Sequence, residues 1–284
     1  MDEPAQQFET HRSHLRAVAY RMLGSSAEAD DAVQEAWLRM SRSATDDVAN
    51  LRGWLTTVVA RIALDMLRSR AARREEPLET RLPDPVVTAV DGVDPEHTAL
   101  LADSVGLALL VVLETLSPTE RLVFVLHDMF AVPFEEIARI VDRTPAAAKQ
   151  LASRARRRVR GRNPVAEPDL ARQREVVAAF LAASRGGSLD ALLAVLAPDV
   201  VLRVDTGAGV RVLHGAATVA GQALTFGRFA PAARHALVNG AAGVINVVDG
   251  RAVSVMAMTV YDGRVVEIDI LADPARLSRL TLLQ

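Results

Sequence analysis

The spacing of hydrophobic residues divides the chain into three blocks. In residues 1–74 and 98–162, apolar positions recur every three or four residues, which is the period of an α-helix. The third block, 171–284, opens with this helical period over 171–187 and 188–198, and then changes to valine-rich runs over 199–205, 233–240 and 242–271 that predict strands. We therefore expect two all-α domains followed by an α+β domain.

Two Asp-Gly dipeptides refine the prediction for the third block. Asp249-Gly250 and Asp262-Gly263 are each flanked by valine-rich residues, which is the pattern of a two-residue hairpin turn. A hairpin joins neighbouring antiparallel strands. The third block is thus predicted to place two helices before a curved antiparallel sheet.

Two proline-rich segments separate the blocks. Residues 75–97 contain four prolines and one glycine, and residues 161–170 contain two prolines and one glycine. Neither segment keeps a hydrophobic period, so both are interpreted as linkers. The predicted domains are therefore 1–74, 98–162 and 171–284.

Composition excludes several classes of protein. The sequence has no cysteine, which rules out disulfides, thiol nucleophiles and cysteine-ligated metals. No apolar run reaches membrane-spanning length, and the N-terminus lacks the form of a secretory signal, so we expect a cytoplasmic protein that does not bind membranes. The six histidines are scattered and no phosphate-binding glycine loop is present, so no metal and no cofactor is predicted. The net charge is −2, so any signal for nucleic-acid binding must be local.

The strongest local signal lies between Phe134 and Arg160. Residues Phe134–Val141 form a predicted short amphipathic helix, and Asp142-Arg143 a turn. Thr144 is suited to cap the next helix and Pro145 to occupy its first position. This arrangement predicts a helix-turn-helix motif.

The second helix of this motif has one packed face and one cationic face. Small and aliphatic residues share the first face, and no acid occurs in 144–160. Such a helix suits the major groove of DNA, although a basic helix end that only complements the helix dipole is the alternative. The side chains of the types that reach base edges are Lys149, Gln150, Ser153 and Arg154. Those better placed for phosphates are Arg156, Arg157, Arg158 and Arg160.

Two segments of the first block have different chemistry. Residues 27–40 combine an apolar stripe with acidic residues that would repel DNA, so their partner is interpreted as a protein, with a solvated acidic helix face as the alternative. Residues 51–74 place Trp54 beside an arginine-bearing helix, which suits single-stranded DNA through stacking and backbone attraction. A tryptophan packed in the core is the equally weighted alternative for Trp54.

Taken in order, these segments resemble the extracytoplasmic-function group of bacterial sigma factors. The resemblance rests on "AEADDAVQEAWLR", "LRGWLTTVVARIALDMLR" and "PFEEIARIVDRTPAAAKQLASRARRRV". It implies that 27–40 binds core RNA polymerase, that 51–74 opens the −10 promoter element, and that the helix from Pro145 reads the −35 element. The family often has asparagine where this chain has Asp65, a carboxylate that can accept a hydrogen bond from a cytosine amino group.

The resemblance also implies a role for particular residues. The polymerase-binding residues would be Asp30, Asp31, Gln34, Glu35, Trp37 and Leu38. The −10 element would be contacted by Trp54, Arg61, Asp65 and Arg68. The −35 element would be contacted by Lys149, Gln150, Ser153, Arg154, Arg156, Arg157 and Arg160.

The third block resembles the SnoaL-like, NTF2-like cone domain that follows the helical domains in the sigma factor J group. The linker of that group has a Leu-Pro-Glu-Pro motif, which reads Leu82-Pro83-Asp84-Pro85 here. A glycine-rich loop of the group is matched in part by 205–209, and an element near the C-terminus by 272–274. The resemblance implies that the third domain modulates activity in cis. The interdomain regulatory residues would be Leu82, Pro83, Asp84, Pro85, Asp205, Gly207 and Gly209.

Two other functions stay open from the sequence. The chain can be interpreted as a helix-turn-helix regulator with a ligand-binding domain, or as a cone-fold enzyme with a DNA-binding appendage. A small-molecule ligand in the C-terminal domain is left open for the same reason. No spacing sets an acid beside a base, so we predict no catalytic residue and no enzyme. The polar residues that a cone-fold enzyme could use for proton transfer are Asp199, Asp205, His214, His235, Tyr261 and Asp269.

Overall fold

The computed structural model describes residues 3–43, 48, 50–73, 81–89, 106–160, 168–227 and 233–280. The chain divides into two compact units, each built from two separate stretches. The first unit combines Met1–Leu78 with Val112–Arg162, and the second combines Glu79–Val111 with Asn163–Gln284. The predicted domain boundaries stay predictions, but both helical blocks contribute to one unit.

The first unit begins with three helices. They are α1 (Glu3–Leu23), α2 (Ser26–Met40) and α3 (Leu51–Arg73). The helices pack through aliphatic side chains with no more than 1% exposure, including Leu15, Val18, Val33, Leu55 and Val59. The start of α3 is fixed by Asn50, whose Oδ1 accepts a hydrogen bond of 2.9 Å from the Gly53 N–H.

Within the residues that the structure describes, the second helical block continues with four α-helices and one π-helix. They are α4 (Leu107–Glu114), α5 (Pro118–Phe124), a π-helix (Val125–Met129), α6 (Phe134–Val141) and α7 (Pro145–Arg160). The boundary between the two units falls within α4. A capping box between Ser117 and Glu120 starts α5, with Pro118 at its first position. The π-helix was not predicted, since its five-residue hydrogen-bonding turn leaves no separate hydrophobic period in so short a segment.

The helix-turn-helix was predicted with its observed boundaries. Asp142 has the left-handed conformation (φ 54°), and the Arg143 N–H donates to the Ala138 carbonyl at 3.0 Å. Thr144 Oγ1 then accepts a 3.2 Å hydrogen bond from the Ala147 N–H. These local contacts end α6 and start α7, as the turn and cap residues indicated.

The second unit is an α+β domain with a seven-stranded sheet. Its strands are β1 (Val87–Ala89), β2 (Leu196–Asp205), β3 (Val210–His214), β4 (Ala233–Val238), β5 (Ala241–Val248), β6 (Arg251–Tyr261) and β7 (Arg264–Leu271). Its helices are α8 (Leu170–Gly186), α9 (Leu189–Val195), α10 (Ala216–Gly227) and α11 (Pro274–Leu277). The strand order is β1-β4-β5-β6-β7-β2-β3.

The two hairpin turns are confirmed, but the sheet is not wholly antiparallel. Asp249, Gly250, Asp262 and Gly263 all have positive φ, as this turn type requires. Strands β2 and β7 pair in parallel, so the prediction of an antiparallel sheet is wrong there. Hairpin dipeptides report only on strands that follow each other, whereas β2 and β7 lie far apart in the chain. Helix α10 was not predicted.

One face of the sheet carries the core of the second unit. Helices α8, α9 and α10 pack against it through aliphatic and aromatic side chains such as Val177, Phe180, Leu192, Val219 and Ile268. Register shifts in the β2–β7, β5–β6 and β6–β7 pairs interrupt regular pairing and curve the sheet into a cone.

Part of the predicted 75–97 linker is ordered against the sheet. Leu82, Pro83, Pro85 and Val87 are buried, and β1 pairs antiparallel with β4 at the sheet edge. Prolines are tolerated just before a strand because no ladder hydrogen bond is needed there. The remaining parts of the two predicted linkers, 75–80, 90–97 and 161–167, lie outside the described residues.

Among the described residues, no helix combines the length and apolar character needed to cross a bilayer. The same residues contain no cluster of three histidine or acidic side chains arranged to bind a metal.

Candidate nucleic-acid interface and linker site

Helix α7 presents an exposed face with no acid. Three alanines, Ala148, Ala152 and Ala155, are completely buried on its other side, so the helix backbone lies close to its neighbours. Its exposed polar side chains are Lys149, Gln150, Ser153, Arg154, Arg157, Arg158 and Arg160. The structure thus brings six of the seven predicted −35 residues together on one accessible surface.

Two arginines of α7 have acidic partners. Arg156 Nε lies 2.5 Å from Asp128 Oδ1 in the π-helix, and Arg158 Nη1 lies 2.6 Å from Glu120 Oε2 in α5. Arg156 was predicted from sequence to contact phosphate, and Arg158 likewise. In the structure, both guanidinium groups are ion-paired within the protein.

Glu120 joins this ion pair to the start of α5. Burial alone would raise the pKa of its carboxyl, but hydrogen bonds from Ser117 and the charges of Arg158 and Arg154 outweigh burial and lower the pKa. The carboxylate is therefore ionised at neutral pH and holds the last turn of α7 against α5.

Lys149, the only lysine of the chain, lies above an aromatic stack. Its Nζ is 5.8 Å from the centre of the Phe134 ring, and that ring stacks on His127 with 3.8 Å between centroids. The His127 ring also contacts the Val132 carbonyl through Nδ1 at 3.0 Å. A cation–π contact of this kind restrains the lysine head group while leaving it exposed.

The predicted −10 residues lie along α3. Trp54 is half-buried, which fits neither a fully exposed stacking platform nor a fully buried core residue. Asp65 and Arg68 are exposed, and Arg68 Nη1 lies 3.8 Å from Asp65 Oδ1. Arg61 donates a 3.2 Å hydrogen bond to the Arg139 carbonyl of α6. One of the four predicted −10 residues is therefore in contact with the helix-turn-helix block.

Asp65 also lines an open depression of about 340 Å³ between α2 and α3. Ile62 and Met66 contribute its apolar part. The polar lining includes Ser69 and two ion pairs, Glu35 with Arg39 and Glu28 with Arg70. The depression therefore combines an apolar surface with hydrogen-bonding groups.

Helix α2 exposes the residues predicted to bind a protein. Asp30, Asp31, Gln34 and Leu38 lie on its solvent side, and Leu38 is 37% exposed. Asp30 pairs with Arg16 of α1 at 2.6 Å. The two remaining predicted residues are half-buried: Glu35 pairs with Arg39, and Trp37 packs on Phe8 with 5.2 Å between ring centroids.

In the second unit, the described part of the 75–97 segment is held by a cluster of buried polar groups that we call the Arg276 cluster: Leu82, Asp84, Asp205 and Arg276. Arg276 donates through Nη1 to Asp205 Oδ2 (2.7 Å), through Nε to Asp84 Oδ1 (2.7 Å) and through Nη2 to the Leu82 carbonyl (2.6 Å). The Leu82 N–H donates to Asp205 Oδ2 at 3.1 Å. Arg276 is 7% exposed and Asp205 is 2% exposed.

The loop after β2 has a conformation that depends on glycine. Gly207 has φ +86°, and a Cβ there would lie 2.8 Å from the carboxyl carbon of Asp273. Its N–H donates to Asp205 Oδ1 at 3.0 Å. Gly209, with φ +134°, lies in the same loop. Of the predicted regulatory residues, the structure thus brings Leu82, Asp84, Asp205 and Gly207 to one place, with Pro83 and Pro85 buried beside them.

Three important residues were not singled out from the sequence. Arg276 connects three of the groups just described, Asp128 pairs Arg156, and Asn239 Oδ1 accepts from the Val86 N–H at 3.0 Å. The one available signal was an arginine in the short element after Asp273-Pro274, where Asp273 caps α11 through a 2.9 Å hydrogen bond from Ala275.

The polar residues considered for catalysis do not assemble. Asp199, His214, His235 and Tyr261 are exposed, while Asp205 belongs to the Arg276 cluster. Asp269 pairs with Arg203 at 3.0 Å, and Arg203 also contacts Glu267 at 3.2 Å. Burial raises the pKa of Asp269 to about 6 although Arg203 stabilises the ionised form, and the negative charge of Glu267 adds a smaller rise.

Comparison with known proteins places both helical blocks in one family. Residues 7–73 match the family model of sigma-70 region 2, and residues 106–159 match that of sigma-70, region 4. The chain is 43% identical over 290 aligned positions to the ECF RNA polymerase sigma factor SigJ of Mycobacterium tuberculosis, covering 96% of this chain and 92% of that protein.

Two further comparisons cover nearly the whole chain. It is 36% identical over 274 positions to the probable ECF RNA polymerase sigma factor SigI of Mycobacterium tuberculosis, covering 96% and 94% of the two chains. The crystal structure of Mycobacterium tuberculosis extracytoplasmic function sigma factor SigJ superimposes with a TM-score of 0.78 at 40% identity. It covers 98% of this chain and 99% of that one, so the similarity includes the cone domain.

Proposed function

The chain belongs to the extracytoplasmic-function sigma factors of RNA polymerase, and we propose that it binds core RNA polymerase, reads −35 and −10 promoter elements, and is modulated in cis by its cone domain. The observation that carries the DNA-binding part is the acid-free exposed face of α7, which starts at the Thr144 cap. Lys149, Gln150, Ser153 and Arg154 would reach base edges, while Arg157 and Arg160 would contact phosphates.

The −10 element would be opened by α3. Arg68 and, once released from Arg139, Arg61 supply positive charge along the helix, and Trp54 offers a partly exposed ring. Asp65 lines the depression beside Ile62 and Met66, so an unstacked base could contact apolar atoms while donating from its amino group to the carboxylate. Cytosine N4 and adenine N6 are the donors that fit this role.

Core RNA polymerase would bind the exposed side of α2. Its surface combines the carboxylates of Asp30 and Asp31 with the polar Gln34 and the apolar Leu38, a mixture that suits a protein partner better than DNA. Trp37, which is half-buried, packs on Phe8 of α1 and so stabilises the position of α2.

Modulation by the cone domain would act through the segment that connects the two DNA-reading regions. The Arg276 cluster and the β1–β4 pairing hold nine residues of this segment, Arg81–Ala89, on the second unit. A connecting segment held in this way has less free chain with which to position the regions at its two ends. A coupling of only about 1–3 kcal/mol between docking and promoter binding suffices for regulation.

We propose a regulatory role for the cone domain and no catalytic one. SigJ and SigI, which match nearly the whole chain including this domain, are sigma factors, and the core of the domain is filled by hydrophobic side chains from three helices and the sheet. Among the described residues of this domain, no observation favours a small-molecule ligand.

Transcription in a purified system tests the function. The full chain, mixed with core RNA polymerase, should copurify with it and direct transcripts from a promoter that core polymerase alone does not use. A chain that binds promoter DNA but neither copurifies with the polymerase nor yields transcripts would instead support a helix-turn-helix regulator.

A further inference from the structure

Arg156 occupies a helix position that faces the proposed DNA surface. At 100° per residue, the seven residues from Lys149 to Arg156 fall about 20° short of two full turns. Arg156 therefore starts from nearly the same side of α7 as the exposed Lys149, Ser153 and Arg160. From its position on the helix alone, Arg156 would be a fourth exposed residue beside these three.

The guanidinium of Arg156 is turned away to an acid. Its Nε lies 2.5 Å from Asp128 Oδ1, and the two side chains are 37% and 21% exposed. Within the described residues, Arg157 and Arg160 have no such ion-pair partner, although they lie on the same last turns of α7. Asp128 is the last residue but one of the π-helix.

The pairing changes the number of cations available to DNA. Each phosphate contact releases condensed counterions and contributes to sequence-independent affinity. A guanidinium already neutralised by a charge-assisted hydrogen bond must give up this partner before it can bind a phosphate. Of two arginines at similar positions, the unpaired one therefore contributes more to DNA binding.

Resting on the proposed −35 role of α7, we infer that Asp128 is a positioning residue that withholds Arg156 from the phosphate backbone and so limits sequence-independent DNA binding. Contacts to phosphate add affinity for every sequence, whereas base contacts add affinity only for the promoter. Withholding one phosphate contact therefore weakens binding to promoter and non-promoter DNA by about the same factor. Asp128 thus lowers the overall affinity for DNA without touching DNA.

The test is a salt titration of the full-length chain on a random-sequence DNA duplex. Asp128→Asn removes the charge but keeps the side-chain shape. It should release Arg156, steepen the slope of log affinity against log salt by about 0.9, and tighten binding up to about eightfold at 0.1 M salt. Selection from a randomised duplex pool should enrich the same −35 sequence as the wild type, because a phosphate contact carries no sequence information. A side chain that only stabilises the fold would weaken binding when changed, so tighter binding excludes a purely structural role.

Three further variants complete the test. Arg156→Ala should leave the slope unchanged, and Asp128→Asn combined with Arg156→Ala should return it to the wild-type value. Arg157→Ala should make the slope shallower by about 0.9, because Arg157 is proposed to contact phosphate directly. Should Asp128→Asn fold poorly, Arg156→Ala still decides, since a shallower slope for that variant would place Arg156 on phosphate in the wild type and overturn the inference.

The outcomes separate this inference from the proposed function. A normal effect of Arg157→Ala with an unchanged or weaker Asp128→Asn variant overturns the role of Asp128 alone. No effect of Arg157→Ala would remove α7 as the DNA-binding helix, and the inference would fall with it.

Discussion

Arg276 shows how one side chain can hold a segment from a distant part of the sequence. Its guanidinium donates to two carboxylates and one carbonyl, all within 2.7 Å. The rigid fork of an arginine can satisfy three acceptors at fixed angles, whereas a lysine ammonium is a point charge on a flexible chain. Arg276 therefore fixes Leu82 and Asp84 in position and also neutralises the carboxylates of Asp84 and Asp205.

We predict that Arg276→Ala releases the 81–89 segment. The change leaves Asp205, which is 2% exposed, without its cationic partner, and loss of one partner of a buried pair costs on the order of 3 kcal/mol. Hydrogen exchange should become faster at Leu82 and at the amides of β1. Arg276→Lys should restore protection only in part.

Arg279→Ala is the matched control, since this exposed arginine lies three residues further on. It should leave exchange in 81–89 unchanged. Equal protection in the Arg276→Ala and wild-type chains would contradict the role of the Arg276 cluster in docking.

Asp269 makes the stability of the second unit depend on pH. Its pKa is raised from 3.8 to about 6, so between these values the folded chain binds a proton that the unfolded chain does not. Stability from this group therefore rises as pH falls from 7 towards 4, by up to about 3 kcal/mol. We predict that Asp269→Asn removes this part of the pH dependence, as measured by hydrogen exchange of β6 and β7 at pH 5 and pH 7.5, corrected for intrinsic rates.

The control for this prediction is Asp199→Asn, which changes an exposed carboxyl on β2. It should keep the wild-type difference between the two pH values. If Asp269→Asn also kept this difference, Asp269 would be ionised throughout the range.

At the scale of elements, local sequence signals predicted the helix-turn-helix, whereas the pairing of strands that lie far apart in the sequence was not predicted. Thr144, Pro145 and the Asp142 turn act within a few residues, so α6 and α7 were found with their boundaries. The β1–β4 pair joins residues about 150 positions apart, and the β2–β7 pair about 65, so no short pattern reports either. The π-helix and the Asp128–Arg156 pair likewise depend on how two elements meet.

The same distinction applies to the candidate sites. The exposed face of α7 follows from helical periodicity, which is why its polar residues were predicted correctly as a surface. Periodicity does not show which cations have acidic partners, and the predictions for Arg156 and Arg158 therefore lacked their ion pairs. Residues 81–89 looked like a linker because prolines conceal the short strand that follows them.

The exposed side of α2 supports a prediction at the scale of one helix. Changing Asp30 and Asp31 together to Arg should abolish assembly with core RNA polymerase, because it reverses the charge of the proposed contact while leaving the buried stripe of α2 intact. Copurification with core polymerase measures assembly, and circular dichroism should show unchanged helix content.

A double reversal elsewhere controls for net charge. Glu175→Arg with Asp199→Arg makes the same change in charge at two exposed sites of the second unit. This variant should assemble normally. Normal assembly of the α2 variant as well would exclude α2 as the polymerase contact, and loss of assembly by both would point to net charge.

At the scale of the whole molecule, the size of the first unit sets a constraint on promoter reading. The unit contains both α3 and α7, and Phe130, at the end of the π-helix, packs on His14 of α1 with 5.3 Å between ring centroids. A compact body of this length has a radius of gyration of about 14 Å, so it is roughly 36 Å across. Promoter elements centred about 25 base pairs apart are separated by about 85 Å. If α3 and α7 read the two elements as proposed, these helices must separate before one chain reads both, and the connecting segment has to span the gap.

The last prediction follows from this constraint, because the cone domain holds part of the connecting segment. Ending the chain after Ala272 removes Arg276 but keeps β4, the strand that pairs with β1. Ending it before α8 removes every contact of the cone domain. The two truncations should therefore change transcription by different amounts in a purified system with core RNA polymerase. The chain that ends after Ala272 should resemble Arg276→Ala. Transcript yields are compared at matched protein concentration, with copurification showing that each form still binds the polymerase. Equal yields from both truncations and the full chain would mean that the cone domain does not act in cis, whatever its docking contacts.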